Sequence, residues 1–67
     1  MELSARNQLK GTVKNIRSEG VVAEVVLDVG GQEMVATITT ASADRLRLKA
    51  GDAVVAIVKA SEVIIGK

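Results

Sequence analysis

Gly30-Gly31 separates two β-prone runs, Val21–Val29 and Gln32–Thr39, and this dipeptide restricts the fold more than any other feature of the chain. A two-residue connection between strands needs backbone with φ > 0, which glycine adopts without steric cost, so the stretch predicts a tight hairpin. In the second run Met34, Ala36 and Ile38 alternate with Glu33, Val35 and Thr37, which gives the third strand one apolar and one more polar face.

The rest of the chain extends this β pattern. Val, Ile and Thr are frequent, proline is absent and glycines punctuate. A first strand is expected over Leu9–Arg17, closed by Gly20, with Val21–Val29 and Gln32–Thr39 as the second and third. The period changes over Ala41–Leu48 (ASADRLRL), which reads as one or two helical turns ending near Gly51. Ser42 is the expected N-cap there and Asp44 the acidic residue of the first turn, with Leu46 and Leu48 turned toward the core. A fourth strand follows over Ala53–Lys59 and a fifth over Glu62–Ile65. This order suits a mainly β fold, a small five-stranded Greek-key barrel of the OB type with one short helix between strands three and four.

Composition decides what can hold so small a barrel together. A domain of about 60 residues buries only about 60% of the surface of its unfolded chain. This one has 67 residues, 48% of them hydrophobic, yet no Phe, Tyr or Trp, and no Cys or His. Disulfides and the usual zinc ligands are therefore excluded, which leaves oligomerisation as the means of support. The fourth strand, AVVAIVK, is apolar on both faces, and a second subunit is the simplest cover for the outer one. No stretch approaches a membrane span, MELSARNQ lacks the apolar core of a secretory signal, and a cytoplasmic location is expected.

The same inventory limits the chemistry. Without His or Cys, and without an S-x-x-K spacing, no nucleophile is activated, so no catalytic residue is expected and the chain reads as a binder rather than an enzyme. Glu24 and Asp28 read as solvated strand charges, and no glycine-rich phosphate loop is present. A net charge of +1 and the absence of stacking aromatics argue against a nucleic-acid-binding OB module, the first rival reading. A purely structural oligomerisation domain is the second.

What remains is a set of hydrogen-bond donors with few acids beside them. Ser4, Arg6, Asn7 and Gln8 open the chain, Thr39, Thr40 and Ser42 stand at the strand-to-helix junction, and Lys59 and Ser61 lie in VKASEV. Hydroxyls, amides and free N–H groups beside one or two cations suit a small tetrahedral oxyanion. Each residue also has a plainer reading: Ser42 as a helix cap, Thr39 and Thr40 as strand residues, Lys59 snorkelling from a strand end, Arg6 paired with Glu2.

SARNQLKGTV at 4–13, AEVVLDVGG at 23–31, ATITTASADRLRLKAGD at 36–52 and VKASEVIIG at 58–66 together resemble the molbindin, or Mop, domain. The resemblance covers nearly the whole chain and implies a single Mop domain over 1–67. It also implies molybdate or tungstate as ligand, with no cofactor and no metal–protein bond, because the ion is held through its oxygens. Ser4 and Arg6 match the family's N-terminal donors, Thr39 and Ser42 its hydroxyls at the strand–helix junction, and Lys59 its basic residue near the C-terminus. Backbone N–H groups around Ala5, Ala60 and Ser61 are expected to help. The resemblance further implies a homohexamer, a trimer of dimers with oxyanions between subunits, serving intracellular storage or homeostasis. Asn7 and Gln8 are read instead as holding the N-terminal strand against a neighbour.

Overall fold

The computed structural model describes residues 4–67. Four strands, β1 (Asn7–Glu19), β2 (Val22–Val29), β3 (Gln32–Thr39) and β4 (Ala53–Val58), and one helix, α1 (Thr40–Arg45), carry the fold. The strands form one antiparallel sheet in the order β3-β2-β1-β4. No helix among the described residues is long and apolar enough to cross a membrane.

The Gly30-Gly31 hairpin forms as expected. Both glycines have positive φ, 60° and 86°, and Val29 pairs with Gln32 immediately outside them. Gly31 N donates to Asp28 Oδ1 at 2.9 Å and locks the turn. In β3, Met34, Ala36 and Ile38 are half-buried, while Glu33, Val35 and Thr37 are exposed.

The long strand β1 serves two partners. Residues Thr12–Glu19 pair with β2, and Asn7–Thr12 pair with β4. Where the partners change over, the strand bends. Val13 pairs with Leu27 but Asn15 with Val26, so Lys14 is the extra residue of a β-bulge. At Gly11 the neighbouring strand comes so close that a Cβ would lie 2.9 Å from the Asp28 carbonyl oxygen and 3.0 Å from Val29 Cγ2. Bulge and glycine together curl the sheet into the OB-type shape expected from the sequence. Val13, Val25 and Leu27 are the buried centre of the curl, with Ile16, Val29, Met34, Ala36, Ile38, Leu48, Val54 and Ala56 packed around them.

The helix begins earlier than expected, and its cap is Thr39 rather than Ser42. Thr39 stays extended, and its Oγ1 accepts from Ser42 N at 3.0 Å. Thr40 is already held at this point, because its N and Oγ1 donate to the Val21 and Gly20 carbonyls, each at 2.8 Å. With the start moved upstream, Asp44 lies beyond the first turn, which contains no acidic residue. The helix closes in a Schellman arrangement: Leu48 N donates to Ala43 O and Arg47 N to Asp44 O, with Arg47 in the left-handed region at φ 53°. That reversal sends Leu48 onto the core but leaves Leu46 64% exposed, against the expectation that both point inward.

The expected fifth strand over Glu62–Ile65 does not form. A 3-10 turn over Ala60–Glu62, with Glu62 N donating to Lys59 O at 2.9 Å, diverts the chain at the end of β4. The segment therefore does not return along the sheet, and Ile64 and Ile65 are 93% and 84% exposed. Edges β3 and β4 remain unpaired, so the curled sheet is not a closed barrel. The fourth strand is apolar on both faces as read: Val54, Ala56 and Val58 turn inward, Val55 and Ile57 outward.

Candidate functional site

The β1–β4 ladder ends at the pair Asn7 and Val58. Arg6 and Lys59 are the next residues outside this pair, so two cations flank the end of the ladder. Ser4, Ala5 and Arg6 on one side and Lys59, Ala60 and Ser61 on the other line an open cleft of about 550 Å³. Among the described residues no carboxylate lines it. Like charges lining one cleft repel, and a bound anion offsets that repulsion.

The backbone of the cleft is set locally on both sides. Gln8 Nε2 donates to the Ala5 carbonyl at 3.0 Å and folds the N-terminal segment over the ladder's end. This bond is a clamp within the chain. Opposite it, Ala60 and Ser61 open the 3-10 turn, and the first N–H groups of a helical turn have no acceptor within it. Donors of three kinds, guanidinium and ammonium, hydroxyl, and backbone N–H, thus line the cleft with no acid among the described residues there. The one salt bridge among the described residues, Lys14 to Glu33 at 2.7 Å, lies elsewhere on the sheet, so Arg6 and Lys59 are engaged in none there. The plainer reading of Arg6, a pair with Glu2, falls on a residue outside the described ones.

Of the eight residues expected in the site, the structure brings these six together and separates Thr39 and Ser42 from them. Thr39 pairs with Val22, and Val22 pairs with Glu19, at the far end of β1 from Asn7. A 13-residue strand is roughly 40 Å long if straight, and the molecule's longest extent is 33 Å. One chain therefore carries two donor clusters at opposite ends. In the second, Thr39 Oγ1 donates to Ser42 Oγ at 2.8 Å, and Arg45 Nη2 reaches the same oxygen at 3.3 Å. Sequence reading missed Arg45 as the cation of this cluster. The available signal was its spacing, three residues after Ser42 on a helix.

A family model described as the TOBE domain matches residues 3–65. The chain belongs to the TOBE domain family. Molybdenum-pterin-binding protein 2 of Clostridium pasteurianum is 42% identical to it over 66 residues, 97% of each chain. The structure of a molybdate-binding protein from Sporomusa ovata superposes with a TM-score of 0.95 at 46% identity over 100% of both chains. The cytoplasmic molybdate-binding protein ModG, in a form with molybdate bound, matches with a TM-score of 0.91 at 46% identity, over 96% of this chain and 46% of its own. The molbindin resemblance read from the sequence is borne out by these matches. The chain also matches part of a longer protein: it spans 24% of the molybdenum transport protein ModE of Herbaspirillum seropedicae, at 41% identity.

Proposed function

We propose that this TOBE domain binds molybdate reversibly, through the ion's oxygens, in the cleft between Arg6 and Lys59. The observation that carries the reading is the cleft at the mouth of the β1–β4 ladder, lined by two cations and the serines Ser4 and Ser61 with no carboxylate among the described residues. The molybdate-binding proteins reported above support the choice of ion. Tungstate, of the same charge and shape, binds in the same way. No step of the reading forms or breaks a covalent bond, so the protein acts as a carrier of the ion and not as an enzyme. Cytoplasmic storage or homeostasis is the role it serves, and the description of ModG as cytoplasmic supports that location.

The site is completed between subunits. The Thr39–Ser42 cluster lies at the other end of β1 from the cleft, and a second copy supplies it. A homohexamer, as a trimer of dimers, is the assembly proposed.

Equilibrium dialysis or calorimetry with molybdate, tungstate and sulfate tests the reading. A hydrogen bond to a charged group contributes roughly 1.5–3 kcal/mol. With each 1.4 kcal/mol a factor of ten, Arg6→Ala and Lys59→Ala are each expected to weaken molybdate binding by about ten- to a hundredfold. Unchanged affinity in the double variant overturns the proposal.

A further inference from the structure

The two hydroxyls at the β3–α1 junction hold one more proton than they use. Thr39 Oγ1 accepts from Ser42 N at 3.0 Å and donates to Ser42 Oγ at 2.8 Å. Arg45 Nη2 donates to the same Ser42 oxygen at 3.3 Å. A hydroxyl oxygen has two lone pairs and one proton. Both lone pairs of Ser42 Oγ are therefore taken, and among the described residues nothing accepts its proton. Reversing the Thr39–Ser42 bond leaves a proton over as well, because two hydroxyls hold two protons and only one lies between them. The backbone at the start of α1 is already occupied: Ser42 N is bonded to Thr39 Oγ1 and Thr40 N to the Val21 carbonyl. What the cluster offers is a side-chain proton.

Arg45 is the residue that makes this hydroxyl one-sided. A cation in the last turn of a helix ordinarily serves the carbonyl end. Arg45 is the basic residue of that turn in α1, yet its guanidinium reaches back to Ser42, three residues earlier, and makes no salt bridge among the described residues. We propose that Arg45 is a positioning residue: by filling the second lone pair of Ser42 Oγ it leaves that hydroxyl only a proton to offer, so the site selects an oxyanion that carries no proton of its own. The inference rests on the oxyanion reading of the site and adds a selectivity to it. A molybdate oxygen at neutral pH only accepts, and the bond from Ser42 to it is strengthened by the cation behind the hydroxyl. Monohydrogen phosphate has the same charge, but its O–H meets a donor there and is left unpaired. Replacing Arg45 frees a lone pair on Ser42 Oγ, and the hydroxyl can then accept from such an O–H.

Calorimetric titration with molybdate, and with inorganic phosphate read by its displacement of molybdate, tests this on the wild type, Arg45→Ala, Arg45→Lys, Ser42→Ala and the double variant Ser42→Ala with Arg45→Ala. Arg45→Ala is expected to weaken molybdate binding about three- to tenfold and phosphate binding less, so that the preference for molybdate narrows. Arg45→Lys keeps a cationic donor on a similar stem and should restore the preference. Because Arg45 acts through Ser42, adding Arg45→Ala to Ser42→Ala should cost nothing further. A merely structural role in α1 would lower both affinities alike and would not vanish in the Ser42→Ala background. Equal losses for the two ions, additive losses in the double variant, no rescue by lysine, or an Arg45→Ala protein that binds molybdate within about twofold of the wild type each overturn the inference and leave the Arg6–Lys59 cleft as proposed. A wild type that takes up no molybdate overturns the oxyanion reading, and the selectivity with it.

Discussion

Gly11→Ala tests whether the close approach of two strands builds the curl. The added methyl would sit 2.9 Å from the Asp28 carbonyl oxygen and 3.0 Å from Val29 Cγ2. Neither neighbour yields easily. Asp28 is fixed through its pairing with Thr12 and the hairpin bond to Gly31, and Val29 is packed on the core. Overpacking of this kind costs about 1–3 kcal/mol. The lower entropy of the unfolded alanine chain returns roughly 0.4–1 kcal/mol. A net loss of about 1–2 kcal/mol follows, which for a domain of this size is a fall in Tm of roughly 5–15 °C. Thermal melts followed by circular dichroism measure it, at one fixed protein concentration so that any self-association contributes equally. Gly66→Ala is the control, since nothing lies within 4 Å of a Cβ there, and its Tm should not fall. A Gly11→Ala protein melting within about 1 °C of the wild type would refute the argument that this approach is tight enough to shape β1.

Three further outcomes follow from local geometry. Arg47 has φ 53°, so Arg47→Gly should raise stability by about 0.5–1 kcal/mol in urea titration; a loss of stability would mean the side chain contributes more than its backbone strain costs. Thr39→Ala removes the acceptor of Ser42 N and should cost about 1 kcal/mol, whereas Ser42→Ala, if Ser42 were the cap, would cost more than Thr39→Ala. The Lys14–Glu33 pair gives a pH signature. The hydrogen bond from Lys14, then its charge, holds the Glu33 carboxyl below its ordinary range, and the same contact raises Lys14. The stabilisation is therefore present between the ordinary carboxylate and ammonium ranges, lost as pH falls through the lowered Glu33 value and lost again as pH rises through the raised Lys14 value. Melts of wild type and Glu33→Gln should differ slightly at neutral pH and converge at both extremes; a gap that persists at acid pH sinks the assignment.

What the sequence made legible was what depends on near neighbours along the chain. Gly30-Gly31 specified the hairpin because positive φ at two successive positions is a local demand, and the alternation in β3 specified its faces because side chains alternate along any strand. The bulge at Lys14 left no such trace, since it exists only in the register between β1 and β2. Thr39 displaced Ser42 as the cap for a reason of the same kind. Both residues are competent, and the choice was made by the Gly20 and Val21 carbonyls, distant in sequence, which hold Thr40. The fifth strand failed for the complementary reason. Glu62–Ile65 has a strand's composition, but composition does not say whose sheet a strand joins, and the 3-10 turn at Lys59 takes it out of its own. The candidate site divides along the same line. Ser4–Arg6 and Lys59–Ser61, distant in sequence, meet because β1 and β4 pair, whereas Thr39 and Ser42 sit at the other end of β1 however suitable their chemistry. Under the proposed reading, in which both donor sets serve one ion, they come from two copies of the chain, because they lie at the two ends of β1.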